Sequence, residues 1–254
     1  MMFVKDDPQR ISIKIAGLMN KRPVLSNYFF PDLKGVKILQ TDKSIILKEK
    51  ENDFFRLYCI TTDVRNLKNI LTYLDGTIVI NVPTKNTLGL WSNLLSETGF
   101  ENIGIYERYY NANSYVVSKF DGKFADISHF TSLKKLIFSN FNKYCDRLPN
   151  DRLLQKMIEN KQVLINEISK KLTGLFIYTF IGKKCYFNLW YDKSGGGLAL
   201  LFNVYALMNI NNITYSYGWI NSNNSYVKQI HEHFGWRADG LKDYTFCKHK
   251  NKSA

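Results

Sequence analysis

A strand-like run, Cys185 to Tyr191, breaks into Ser194-Gly195-Gly196-Gly197 and then into a stretch whose Leu200, Leu201, Val204, Leu207 and Met208 fall on one helical face. No other feature of the chain restricts its fold as much. A strand that passes through a flexible turn straight into a helix with one broad apolar face must lay that helix on a sheet. Three adjacent glycines give the turn backbone angles closed to other residues and leave it without side chains. The first turn of the helix carries N–H groups with no partner inside the helix, backed by the helix dipole. Such a turn suits an anion such as a diphosphate. It is not a phosphate loop of the Gly-Lys-Ser/Thr kind. It also lacks the Gly-x-Gly-x-x-Gly spacing and repeated βαβ order of dinucleotide-binding folds.

The rest of the chain reads as short elements of both kinds. Residues 8–20 have helical spacing through Ile11, Ile15 and Leu18. Strand-like runs follow at 36–39, 44–48 and 54–60. Asp63 is placed to cap a helix carrying Leu67, Ile70 and Leu71. A β-branched strand at 77–82 is expected to close at Pro83, and a helix at 88–98 to stop at Gly99. Residues 103–110 and 114–118 look like paired strands.

A second unit begins near Phe120. It offers a short strand at 123–127, helices at 132–144 and 152–159, and a strand at 163–168. Two further strands, 175–181 and 185–191, are joined by the turn Gly182-Lys183-Lys184. After the glycine turn and its helix come a strand at 213–219, a helix at 224–234 ended by Gly235, and a strand at 244–248. The order three strands, helix, strand, helix, strand occurs in both halves, an internal repeat of elements without repeat of letters.

The glycine turn and the segments after it resemble the GCN5-related N-acetyltransferase (GNAT) superfamily, whose motif reads Gln/Arg-x-x-Gly-x-Gly/Ala. Taken from Ser194 through Leu198 to Ala199, the motif finds Gly197 and Ala199 in place and Ser194 where Gln or Arg is usual. The family's later Asn…Leu-Tyr-x-x-x-Gly-Phe pattern is matched from Asn224 to Gly235, with Trp236 in the Phe position and His231 in that of the Tyr. The first half carries a fainter echo in Leu94-Leu95-Ser96-Glu97-Thr98-Gly99-Phe100, and its strand-to-helix junction Thr61-Thr62-Asp63 has no glycine turn. The resemblance therefore implies an α/β (α+β) chain of two GNAT-like units, each a mixed, mostly antiparallel sheet flanked by helices. Residues 1–118 would form a degenerate unit and 119–254 an acyltransferase unit.

The chemistry implied by the resemblance is specific. Two central strands would splay where acetyl-CoA or another acyl-CoA enters. Backbone groups near Leu189 and Tyr191 would meet the pantetheine arm, and Gly195, Gly196, Gly197 and Asn224 would lie on the donor side. A small-molecule or peptide amine would enter from the opposite side and attack the thioester directly. His231 would protonate the leaving thiolate, the family tyrosine's task. Glu167 is the first candidate for the base. Asp192 is the second, or else a residue that shapes the turn.

Bulk properties narrow the setting. Cys59, Cys145, Cys185 and Cys247 are far apart and make no metal or redox motif. No apolar run is long enough to cross a bilayer, and the charged start lacks a signal peptide's apolar core, so a cytoplasmic protein with no membrane partner is expected. The net charge of +13 fits a nucleic acid, an anionic ligand such as CoA, or a solvated lysine-rich surface. Two rivals stay open: transfer of an amino acid from aminoacyl-tRNA on the same fold, and a binding module without catalysis. The composition leaves the oligomeric state open.

Overall fold

The computed structural model describes residues 2–29, 32–113, 115–117 and 119–250. The chain divides into two compact units. One comprises the residues through Ile105 together with those from Leu241 onward; the other runs from Tyr106 to Gly240. The expected division was contiguous, 1–118 and 119–254. It differs because two long strands, near the middle and at the end of the chain, each supply residues to both units. Strand pairing at a distance, not local sequence, decides where they belong.

The first unit opens with β1 (Val4–Lys5) and α1 (Pro8–Met19). Asp7 caps α1 through its side chain and Pro8 sits in the first turn, where its missing N–H costs nothing. Strands β2 (Leu25–Ser26), β3 (Lys37–Gln40), β4 (Ser44–Lys50) and β5 (Phe55–Thr61) lead to α2 (Val64–Thr72), capped by Asp63 as expected. Then come β6 (Ile78–Thr84), α3 (Leu90–Glu97) and β7 (Glu101–Asn111). Pro83 lies inside β6 instead of ending it. The parallel pairing of β6 with β5 stops at Ile80, so that neighbour asks for no N–H from Pro83.

The second unit continues with β8 (Lys123–Phe124), a 3₁₀ turn at Ile127–His129, α4 (Phe130–Asn140) and α5 (Asp151–Glu159). After β9 (Val163–Ile168), the hairpin β10 (Lys171–Ile181) and β11 (Lys184–Asp192) turns at Gly182. The glycine turn feeds α6 (Gly197–Ile210), followed by β12 (Tyr215–Asn221), α7 (Ser225–His233) and β13 (Arg237–Lys248). Of the expected partner of β7 at 114–118, the described residues form no strand. Tyr115–Val117 are irregular, and Ser114 and Ser118 lie outside the described residues. The 106–111 part of β7 pairs instead with β12.

Each unit is a sheet covered on both faces. In the first, β3, β4 and β5 run antiparallel, β5 and β6 parallel, and residues 242–248 of β13 close the order against β6. Alternation along β4 sends Ile45 and Leu47 towards α1 and Ile46 towards α2 and α3. In the second, β8 to β11 run antiparallel, β11 and β12 parallel, and β12 pairs with β7. Leu133, Ile137 and Leu154 of α4 and α5 pack on Ile165, Leu175 and Leu189. Leu201, Val204 and Tyr205 of α6 pack on the other face, against Phe176, Phe187 and Trp236. Among the described residues no helix is long and apolar enough to cross a membrane.

Candidate active site

The sheet of the second unit opens where its two parallel strands part. Hydrogen-bonded pairing of β11 with β12 covers only Lys184–Phe187 against Tyr215–Gly218. At the next residue β11 carries a bulge. Ile177 of β10 faces Leu189 while Tyr178 faces Phe187, so Asn188 is the extra residue. Beyond it the strands diverge around a cleft of about 550 Å³. Its walls include Phe187, Asn188 and Leu189 from β11 and Gly218, Trp219 and Ile220 from β12. One end meets α7 at Asn224, Val227 and His231; the other meets Phe141, Asn142 and Asp146 between α4 and α5. Since α7 and α4–α5 cover opposite faces of this sheet, the cleft passes through it.

His231 is 4% exposed and sits among Phe187, Trp190 and Trp236, with ring centroids 6.3, 5.5 and 4.6 Å away. Its Nδ1 lies 2.9 Å from the Val227 carbonyl oxygen, which can only accept, so the neutral ring carries its proton on Nδ1 and leaves Nε2 as an acceptor. Burial lowers its pKa to about 4 against the opposing pull of that hydrogen bond. Such a neutral ring keeps its one proton on Nδ1, held by Val227 O, and presents a bare Nε2, an arrangement that does not favour the acid role expected from the sequence.

Glu167 does not line the cleft. On β9 it pairs with Lys123, and the His129 Nε2 stands 3.3 Å from its other oxygen. The hydrogen bond from Lys123 holds its carboxyl below the usual range. A carboxylate so neutralised is a poor base. Leu189, Tyr191 and Asn224 do line the cleft, and Asn224 also caps α7 by accepting from the Val227 N–H at 3.1 Å.

The glycine turn lies outside the cleft lining, at the end of β11. Gly195 has φ +85°, a conformation that favours glycine. A Cβ on Gly196 would stand 2.6 Å from Asn166 Nδ2. The turn already holds an anion of its own. Asp192 Oδ1 accepts from the Ser194 N–H at 2.7 Å, the Ser194 hydroxyl at 2.9 Å and the Gly196 N–H at 2.9 Å. Its Oδ2 accepts from Asn166 Nδ2 at 2.9 Å. Burial pushes Asp192 up, but these hydrogen bonds outweigh it and hold the carboxyl below its ordinary pKa. The Ala199 N–H donates to Gly196 O. Among the described residues the N–H groups of Gly195, Gly197 and Leu198 meet no acceptor. Asp192 thus shapes the turn. This is the second of the two roles expected of Asp192 from the sequence, and it follows the Asx-turn pattern of an Asp two residues before a serine.

Sequence reading missed the α4–α5 end of the cleft. Asp146 Oδ1 accepts from the Tyr106 hydroxyl at 2.9 Å, and Oδ2 from the Asn142 N–H at 2.7 Å. Burial raises the Asp146 pKa against both hydrogen bonds, and burial followed by the Asp146 charge raises that of Tyr106. No local pattern joins Tyr106 to Asp146, since forty residues separate them in the chain.

In the first unit the parting strands are bridged by a side chain. Where the β5–β6 pairing ends, the Asn27 side chain donates to Leu57 O at 3.1 Å and Asn81 O at 2.8 Å, and accepts from the Cys59 N–H at 2.6 Å. The gap between the parting strands is filled from within the unit.

No family model matches the chain, and no curated protein matches it in sequence. Solved structures do. A GCN5-related N-acetyltransferase from Sphaerobacter thermophilus aligns with a TM-score of 0.58 at 9% identity, over 81% of this chain and 76% of its own. An acetyltransferase of the GNAT family from Colwellia psychrerythraea aligns over 98% of this chain and 100% of its own, with a TM-score of 0.54 and 11% identity. A tandem GNAT protein from the clavulanic acid biosynthesis pathway covers 100% of this chain and 99% of its own, with a TM-score of 0.54 and 7% identity. The chain therefore has the fold of the GNAT acetyltransferases, repeated in tandem.

Proposed function

We propose that the second unit is an acyl-CoA-dependent N-acyltransferase whose donor and acceptor meet in the cleft between β11 and β12. The opening of the sheet beyond Phe187 and Gly218 carries this reading. The acyl-CoA enters from the α6–α7 face with its diphosphate towards Gly195, Gly197 and Leu198, whose N–H groups point to no protein acceptor. The amine enters from the α4–α5 face and attacks the thioester carbonyl. The C–N bond forms as the C–S bond breaks, and the amine proton leaves through water or a cleft residue. His231 is a neutral, packed wall of the thioester region and not the acid.

A heat-stability screen with acetyl-CoA and longer acyl-CoAs tests the donor. At a hundred times its dissociation constant a ligand adds about 2.7 kcal/mol of stability. Leu198→Asp should erase that gain. Leu198 is 40% exposed in the first turn of α6, where a carboxylate suits the helix but repels a diphosphate. No stabilisation by any acyl-CoA defeats the reading.

One observation favours a second reading, a ligand-binding unit without acyl transfer. Asp192 places a negative charge in the turn where a diphosphate would lie. Binding of CoA without acylation of any amine in a broad panel would favour it.

A further inference from the structure

The α4–α5 end of the cleft has a charge character of its own. The chain is strongly basic, at +13, yet among the described residues those lining this cleft include no Lys or Arg. Asp146 supplies the one carboxylate among them. It is no surface acid: desolvation is the largest influence on its pKa. Its two hydrogen bonds come from a neutral hydroxyl and a neutral amide, and among the described residues no cationic side chain pairs with it. A desolvated carboxylate held by neutral donors retains most of its field and gains from a cation brought to it.

The surroundings are made to hold such a group. Asn142, whose N–H fixes one oxygen, is joined at this end by the carboxamides of Asn140, two residues before it, and of Asn221, the β12 partner of Tyr106. These side chains offer acceptors to an N–H-bearing ligand without competing charge. Tyr191 stands at the same end, its ring 6.4 Å from that of Phe141, edge to face. The pair gives an aliphatic stem an apolar surface to lie against.

We infer that Asp146, fixed by Tyr106 and the Asn142 amide, is the specificity-determining residue of the acceptor end and selects a small organic cation with an aliphatic stem. The identification of this end as the acceptor's rests on the acyltransfer reading. The binding preference does not, and it is measured without any acyl-CoA.

The test uses n-pentylammonium, pentanoate and 1-pentanol as probes of equal stem length, followed by saturation-transfer NMR on the full chain. In the wild-type protein, pentylammonium should give a saturable signal at least tenfold tighter than either neutral or anionic probe, the size of one charge-assisted hydrogen bond at about 1.4 kcal/mol. Asp146→Asn, nearly isosteric, should abolish the preference while leaving pentanol unchanged. Tyr106→Phe keeps the carboxylate and removes one hydrogen bond to it, and should retain the preference for the cation. Pentanoate binding as well as pentylammonium to the wild type overturns the inference, and so does an undiminished preference in Asp146→Asn. Should Asp146→Asn fail to fold, the wild-type comparison and Tyr106→Phe still decide. A failed acyl-CoA screen with an intact cation preference would sink the donor assignment alone; the reverse result would sink only the role of Asp146.

Discussion

The carboxylate of Asp192 accepts the backbone N–H of Gly196 at 2.9 Å, so the turn before α6 is closed by an anion from the strand that leads into it. Of the glycine-turn amides, those of Ser194 and Gly196 are satisfied and those of Gly195 and Gly197 meet no acceptor among the described residues. A diphosphate approaching the turn would meet both the free donors and the Asp192 charge. Asp192→Asn keeps an oxygen to accept from the two amides and removes the repulsion. Affinity for CoA should rise by about tenfold, near 1.4 kcal/mol. Isothermal titration of both proteins measures it, and equal or weaker binding by the variant would show that the charge does not face the diphosphate.

Gly174 is what allows Asp192 to sit there. The two residues are cross-strand partners on β10 and β11, and a Cβ on Gly174 would fall 2.0 Å from Asp192 Oδ2. Gly174→Ala should expel the carboxylate and cost about 2 kcal/mol, the usual scale for overpacking and for lost charge-assisted hydrogen bonds. Once Asp192 is also truncated to Ala, much of the clash is gone. The double variant should therefore be less destabilised than the sum of the singles. Urea denaturation of the three variants reads this coupling. Strict additivity would mean that the two side chains do not compete for the same space.

The pH dependence of stability should carry the signature of His231. Its folded pKa of about 4 lies below the unfolded value of about 6.5. Between those values the unfolded chain takes up a proton that the folded chain refuses, so acid favours unfolding. The contribution is complete above about pH 6.5 and is lost as pH falls towards 4, in total on the order of 3 kcal/mol. Gln at this position can still donate to Val227 O but does not titrate. Between pH 7.5 and 4.5 the wild type should lose a few kcal/mol more than His231→Gln, since the other titrating groups cancel in the difference. Parallel losses would mean that the imidazole is protonated in the folded state. That result would reopen its role as an acid.

The parts of this fold that follow from neighbouring residues were legible in the sequence. Asp63 caps the helix expected of it, the helix expected from Asn224 is there, Gly182 turns the hairpin, and the glycine turn joins a strand to an apolar helix. The parts set by distant pairing were not. Whether residues 106–111 pair with the segment after them or with β12 depends on contacts more than a hundred residues apart, such as Tyr106 with Asn221. The site divides in the same way. Leu189, Tyr191, Asn224 and His231 lie on the cleft because their strand and helix positions carry them there. Glu167 does not, because its partners Lys123 and His129 come from a separate segment that periodicity cannot place beside it. Asp146 and Asn27 are invisible for the same reason: Tyr106, which fixes Asp146, and the backbone groups that Asn27 satisfies lie at least thirty residues away.

Asn27 supplies the last prediction, and it concerns why the two units differ. In both, a parallel pair parts beyond a short ladder and leaves backbone groups without strand partners. In the second unit the gap is a cleft. In the first, Asn27 is 3% exposed and satisfies Leu57 O, Asn81 O and the Cys59 N–H with one carboxamide, while its own N–H donates to Cys59 O at 3.1 Å. Asn27→Ala would leave three buried backbone groups unpaired. Each costs about 1–3 kcal/mol when unsatisfied, with some relief where water enters the new gap, so a loss of about 3 kcal/mol is expected. Asn27→Asp is the sharper variant. It still accepts from Cys59 but faces two carbonyl oxygens with a charge, and should be destabilised at least as much as the alanine at pH 7. Lowering the pH towards 4 protonates the acid, restores one donor and should narrow that gap. Hydrogen exchange would then show the Cys59 amide protected in the wild type and exposed in Asn27→Ala. If that amide stays protected in the alanine variant, the first unit is closed by its strands alone and Asn27 is not what fills it.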